Sequence, residues 1–277
     1  MIVLSQALVL APAGAQLNTP VFGWDSLVTS SSVSASSAAS GYPASDLANP
    51  STVLFWRAAE TSPPADVYLT VDVGQVDPID YVAVAAHNFG SAGIAVSVEI
   101  ATGLAGSPPA LVWTEVVTPR LVVRDDPLIF RFAPTSVVGV RLRLQPGTAP
   151  AQAAVLYAGR LLVMPRGTSD SHVPINFARV TKRLRQTSAN GHFLGEILLA
   201  EARQSGIGFK YLEQAWFRET MRPFLDAARV VPFFFAWKPQ QWPDDVGFCT
   251  LSNDPQPTVD FSTQRIAIDL QLEGVAL

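Results

Sequence analysis

The side chains in this sequence best able to do chemistry are three histidines, one cysteine and one pair of adjacent carboxylates. Their spacing assembles no reaction centre. His87, His172 and His192 lie far apart, and none has a neighbour at metal-ligand spacing. Asp244 and Asp245 could act as general acid and base or form the edge of a calcium site, but the preceding Trp242-Pro243 marks a turn. Adjacent carboxylates alone lack the convergent geometry of a site. Cys249, between Phe248 and Thr250 in a strand-like run, reads as a small buried apolar residue. The sequence has no phosphate loop ending in Lys-Ser/Thr, dinucleotide fingerprint, nucleophile elbow or His-Glu-x-x-His. The reading is therefore of a non-enzyme, with no catalytic residue, metal or cofactor.

Side chains that bind without reacting are better represented. Tyr42 stands in the turn-rich stretch 41–50, Trp56 follows in Phe55-Trp56-Arg57, and a buried strand-like run ends at His87-Asn88. A second aromatic concentration is Pro232-Phe233-Phe234-Phe235-Ala236-Trp237, too apolar for a solvent-facing strand. Phe233, Phe234 and Phe235 should alternate between a core and a covered surface, either a helix or an adjacent subunit.

The elements that must position these residues are mostly strands. Between residues 53 and 163, β-branched and aromatic runs alternate with turn clusters, at 67–73, 81–86, 94–100, 110–117, 121–123, 128–132, 137–144 and 155–163. Such spacing predicts an antiparallel sandwich. In 137–144 the even positions from 138 are Val, Val, Leu and Leu, opposed by Gly139, Arg141 and Arg143, so one face is core and the other wet. The tract 30–40 contains only Ser, Ala and Val, as a surface loop or loosely packed strand would. Residues 166–173 are polar and turn-rich, and mark a linker. Strands are then expected at 175–184, 193–202, 209–212, 231–237, 246–251 and 265–272. One helix is expected at about 216–229, with Phe217, Met221, Phe224, Leu225 and Ala228 at helical spacing. Pro223 must sit in its first turn or kink it.

Composition limits the partners. The 277 residues are 48% hydrophobic and only 15% charged, against a usual charged share of about 25%. That deficit points to surface covered by other proteins. A net charge of −4 argues against nucleic-acid binding, which relies on clustered Lys and Arg. Residues 1–165 contain no lysine, seven arginines and eleven carboxylates, whereas 166–277 hold twelve basic and twelve acidic side chains. Two such regimes suggest two domains. One cysteine allows no internal disulfide. Residues 2–15 are apolar, and Ala13-Gly14-Ala15 has the small side chains of a signal cleavage site. No Lys or Arg precedes Arg57, however, and Gln6 and Pro12 interrupt the run. The segment is read as a buried first strand over 2–10, and no stretch approaches the ~20 apolar residues of a membrane span.

The order Tyr42-Pro43-Ala44-Ser45-x-Leu47, Trp56, a strand ending at Gly74, and His87-Asn88 resembles the galactose-binding-like, or discoidin-like, jelly-roll domains, especially versions in bacteriophage tail proteins. The resemblance covers about residues 20–165. It implies possession of glycan-contacting loops, with Tyr42, Trp56, His87 and Asn88 as the matching positions. The same residues have a second reading, with Trp56 in the core and His87 and Asn88 tying backbone amides. Residues 174–277, through the helix, Pro232-Phe233-Phe234-Phe235 and Trp242-Pro243-Asp244-Asp245, resemble the β-barrel-plus-helix domain of siphophage tail-tip proteins. Together the pattern and the two resemblances give a mainly β fold: an N-terminal strand or arm (1–19), a jelly-roll β-sandwich (20–165), a linker (166–173) and, as the tail-tip resemblance implies, a ring-forming β-barrel or sandwich domain with one packed α-helix (174–277). Its implied role is a structural part of a long non-contractile tail tip, on the virion and assembled in the host cytoplasm. Implied partners are a homo-oligomeric ring, hexameric in that family, other tail-tube, tape-measure and tail-tip proteins, and a host surface glycan. In distal tail proteins the ring domain usually comes first; here the order is reversed, as another minor tail protein would allow. The alternative is a secreted, lectin-like bacterial glycan-binding protein with a cleaved N-terminus.

Overall fold

An unbroken apolar run such as residues 81–86 fits a strand only when both of its faces are covered. The architecture supplies both covers. The computed structural model describes residues 1–10, 17–60, 64–74, 78–106, 110–169, 172–175 and 177–275. In chain order the strands begin with β1 (Ile2–Leu4), β2 (Val21–Gly23), β3 (Val33–Ala35), β4 (Trp56–Arg57), β5 (Val67–Asp72) and β6 (Ile79–His87). They continue with β7 (Ala95–Ala105), β8 (Ala110–Leu121), β9 (Leu128–Thr135), β10 (Gly139–Leu144), β11 (Gln152–Gly159) and β12 (Leu162–Val163). The last six are β13 (Arg179–Thr187), β14 (Phe193–Glu213), β15 (Phe233–Ala236), β16 (Val246–Leu251), β17 (Thr258–Asp260) and β18 (Arg265–Gly274). Helix α1 is Gln6–Val9, and α2 runs over 214–228.

Three sheets result. The first has the order β1-β9-β6-β11-β4, the second β3-β5-β10-β7-β8, and the third β12-β2-β15-β16-β18-β14-β13 with β17 beside β18. The first two pack face to face as a jelly-roll sandwich, with Val82, Val84, Phe130 and Leu156 against Leu69, Val98, Val140 and Leu142. On β10, Arg141 and Arg143 take the wet face as the alternation predicts, and pair with Glu99 and Asp66. The outer face of the first sheet is covered too: Tyr81, Ala83, Ala85, Val155 and Tyr157 share a core with Phe234, Ala236, Val246 and Phe248 of the third sheet. The far side of the third sheet buries Phe22, Phe209, Phe233, Phe235 and Ile268 against Phe217, Met221 and Phe224 of α2. The stack is thus sheet, sheet, sheet, helix, and β6 is its doubly covered middle.

The chain is mainly β, as expected, and its second module is an open sheet with one helix; no closed barrel forms among the described residues. Several sequence expectations are corrected. The first strand ends at Leu4 and not at residue 10, because Ser5 caps α1, its Oγ accepting the Leu8 N–H at 3.3 Å. Ala13-Gly14-Ala15 and linker residues Asp170 and Ser171 lie outside the described residues. The strands expected at 193–202 and 209–212 are one strand, β14. Gly206 and Gly208 do not break it because they pair with Gln271 and Asp269 of β18. Pro223 does as expected, lying in the first turn of the α-helical segment Arg222–Ala228, directly after π-type turns at Phe217–Met221. Within 20–165, β2 and β12 belong to the third sheet, where they pair with Phe22 opposite Leu162. Apart from β1, the sandwich is therefore an insertion between two adjacent strands of the helix-bearing module. Phe233, Phe234 and Phe235 are all fully buried. They alternate as expected, but the covered surface facing Phe234 is the chain's own sandwich and not a neighbouring subunit.

Candidate functional site: an interdomain cleft and a projecting arm

The structure uses most of the sequence-predicted glycan set to build the sandwich. Trp56 is fully buried, and its Nε1 donates to the Ser37 carbonyl at 3.0 Å, so it offers no face to a sugar. His87 Nδ1 accepts the Phe89 N–H at 3.2 Å, which leaves Nε2 to carry the proton and donate to the Asp126 carbonyl at 2.9 Å. Burial lowers its pKa from 6.5 to about 4, so the ring is neutral near pH 7. Asn88 bridges two chain segments, its Nδ2 donating to the Pro150 carbonyl and its Oδ1 accepting the Gln152 N–H, both at 2.9 Å. Tyr42 alone keeps a partly exposed ring, packed 4.8 Å from Phe55.

Of these four residues only His87 lines a cleft that the sequence set did not describe. With a volume of about 750 Å³, it opens between the sandwich and the third sheet. The sandwich contributes Phe55, Arg124 and Gln152, and β14 contributes Glu201 and Arg203. Asp125 Oδ1 holds one loop of the rim by accepting the N–H groups of Gly90 and Ser91 at 2.8 and 2.9 Å. Arg203 lies 3.8 Å from Asp126, so an ion pair joins the two modules across the cleft. Ala86, also in the wall, has φ of +52°, a left-handed conformation that costs a non-glycine residue about 1 kcal/mol or more.

The second feature is an arm. Strand β14 pairs with β18 only from Arg203 onward, while its earlier part pairs with β13 alone. Residues 193–202 therefore extend a two-stranded hairpin by about 30 Å, at ~3.3 Å per residue. Val180, Leu184, Phe193, Leu194, Ile197, Leu198 and Leu199 on it are 45% to 65% exposed. Strand β13 also carries Arg179, Lys182, Arg183 and Arg185 with no acidic residue. Arg183 meets Glu196 at 2.9 Å and Arg179 meets Glu201 at 3.3 Å, exposed pairs that contribute at most ~1 kcal/mol each. A lone two-stranded hairpin is marginal in water, so this arm has little to hold it in isolation.

Among the described residues no group of three or more His, Cys, Asp or Glu could hold a metal, and no helix is long and apolar enough to cross a membrane. Neither a protein-family model nor a curated protein matches the sequence. The solved structures it is similar to include carbohydrate-binding modules. Chitosan-binding module 1 of a chitosanase/glucanase from Paenibacillus sp. IK-5 shares 16% identity over 48% of this chain and 98% of its own, with a TM-score of 0.38. The family 32 module of Clostridium perfringens NanJ, solved with galactose, shares 15% over 51% and 99%, with a TM-score of 0.40. The lectin-binding domain of Lectinolysin, a His 62 mutant solved with Lewis b, shares 12% over 49% and 96%, at 0.36.

Proposed function

We propose that this chain is a structural, non-catalytic component of the tip of a long non-contractile phage tail, assembled in the bacterial cytoplasm and carried on the virion. In this reading the third sheet, α2 and the arm form a homo-oligomeric ring, a hexamer, beside tail-tube, tape-measure and other tail-tip proteins. The sandwich stands outward and contacts host glycans. The observation that carries the reading is the arm. Its apolar side chains are exposed in a single copy, which is the mark of a surface that a partner covers. Lys182 and Arg185, the two basic residues of β13 that join neither ion pair with β14, disfavour pairing of that edge with its own copy across a two-fold axis, because like charges would face each other. A head-to-tail contact avoids the clash, and closed head-to-tail contacts make rings.

Electron microscopy of virions tests this. The expected result is a symmetric ring at the tail end with residues 179–202 covered by the next subunit. Finding the chain as isolated spikes whose residues 174–277 touch no symmetry mate would end the proposal. The cleft favours a second reading, a secreted glycan-binding protein. Intact mass from the native source separates the two, since a mature start near Gln16 supports secretion and retained Met1 opposes it.

A further inference from the structure

The cleft between the sandwich and the arm has a mixed lining that narrows what it can hold. Two guanidinium groups, Arg124 and Arg203, face it together with three carboxylates, Asp125, Asp126 and Glu201. That balance disfavours a polyanion, which would meet the carboxylates, and it disfavours an apolar ligand, which would leave charged groups dry without partners. A neutral molecule with many hydroxyls can donate to the carboxylates and accept from the guanidinium groups. Phe55, partly exposed at the same wall, suits the apolar face of a pyranose ring. The volume of about 750 Å³ falls within the range of ordinary ligand pockets and is roomy enough for more than one sugar residue.

One wall comes from the root of the arm. Glu201 belongs to the part of β14 that pairs only with β13, and it is held there by Arg179 at 3.3 Å. Two residues further, Arg203 is already clamped between Arg179 of β13 and Gly274 of β18. The order of the arm therefore decides whether Glu201 is in place, while the remainder of the cleft is held by the body of the protein.

We propose that this cleft binds a neutral, hydroxyl-rich saccharide using both modules, and that ordering of the arm root sets its affinity. The inference rests on the reading that the sandwich contacts glycans, and is independent of the tail. A ligand that needs Glu201 must order the root of a free arm, a cost that disappears when the root is already fixed. Fixing it should strengthen binding about tenfold, equivalent to ~1.4 kcal/mol.

The test uses the full chain. Ligand-observed NMR and calorimetry would screen neutral oligosaccharides of galactose and N-acetylglucosamine against sialylated and sulfated ones. A cross-strand disulfide from Val180→Cys and Ala202→Cys, opposite each other in the β13–β14 register, staples the arm root. The proposal expects neutral sugars to bind and acidic ones not to. Glu201→Gln should weaken binding at least tenfold with an unchanged melting temperature, and Phe55→Ala should weaken it as much while also losing the packing of its ring on Tyr42 and the core. The oxidised staple should bind about tenfold more tightly than its reduced form. Binding that survives both Phe55→Ala and Glu201→Gln overturns this site while leaving glycan contact intact, and preference for acidic sugars overturns the ligand class. Equal affinity of oxidised and reduced staple overturns the coupling to the arm. No binding by any sugar overturns this inference and the glycan reading together.

Discussion

Two buried ionisable groups in the sandwich should hide each other in an acid-stability measurement, and removing one should expose the other. Asp80, 6% exposed, accepts the Leu161 N–H at 2.7 Å through Oδ1. Burial raises its pKa from 3.8 to about 6, against the opposing pull of the Leu161 bond and of Arg131 and Arg160. The folded state thus holds this proton more tightly than the unfolded state, and the stability it contributes is lost as pH rises from about 4 to 6. At ~1.4 kcal/mol per pH unit the effect is about 3 kcal/mol. His87 has the opposite sign. Its pKa is lowered from 6.5 to about 4, so the unfolded state holds the proton more tightly and stability is lost as pH falls from 6.5 to 4. That loss is also about 3 kcal/mol. Over pH 4–6 the two slopes cancel in the wild type. In Asp80→Asn the compensation disappears, and stability relative to wild type should fall by about 3 kcal/mol between pH 6.5 and 4. Urea unfolding followed by tryptophan fluorescence at half-unit pH steps reads this directly. Parallel wild-type and Asp80→Asn curves across the window would refute the reasoning.

Other substitutions separate core from surface. Trp56→Ala should cost about 3–5 kcal/mol in urea unfolding, as truncation of a fully buried tryptophan does, whereas a surface sugar platform would lose affinity with little change in stability. Phe234→Ala should cost a similar ~3–5 kcal/mol and increase limited proteolysis between the modules, because its ring lies 5.4 Å from Tyr157 and 4.9 Å from Phe248 in the shared core. Combined Leu194→Ser, Ile197→Ser and Leu198→Ser should move the monomer's stability by no more than ~1 kcal/mol and, on the proposed tail-tip reading, abolish incorporation into tail tips, scored by immunoblot of purified particles. Retained incorporation would remove the arm from assembly.

The sandwich was legible in the sequence because its strands carry their environment in their pattern. Val140, Leu142 and Leu144 alternate with arginines over a half-wet face, and residues 81–86 are apolar throughout because both faces are covered. What covers the second face was not legible. Phe234 advertises that it must be buried, but an apolar side chain carries no label for its partner, and an adjacent subunit would have satisfied it equally. The insertion was hidden for a similar reason: β2 and β12 are three and two residues long, below the length at which periodicity can speak. The binding set failed differently. His87 and Asn88 have the right chemistry for a sugar, yet the same donors and acceptors serve buried backbone, and only geometry shows that Pro150, Gln152, Phe89 and Asp126 already occupy them. The arm went unread because its apolar content looks like any other strand's until it is seen that, among the described residues, no third strand pairs beside residues 193–202.

The chain enters the sandwich after β2 and leaves it before β12, two strands that lie side by side. It crosses the boundary a third time at β1, which runs parallel to β9 with Ile2 opposite Ile129. A domain tethered at one end can swivel; one gripped by two neighbouring strands and a returning terminus behaves as a tool fixed in a handle. Tyr157 reinforces the grip, its hydroxyl donating to the Pro232 carbonyl at 3.0 Å just ahead of β15. Any pull exerted on the sandwich would therefore reach the third sheet as force and torque, not be dissipated in a hinge. The helix-bearing module would feel the direction of that pull as well as its strength.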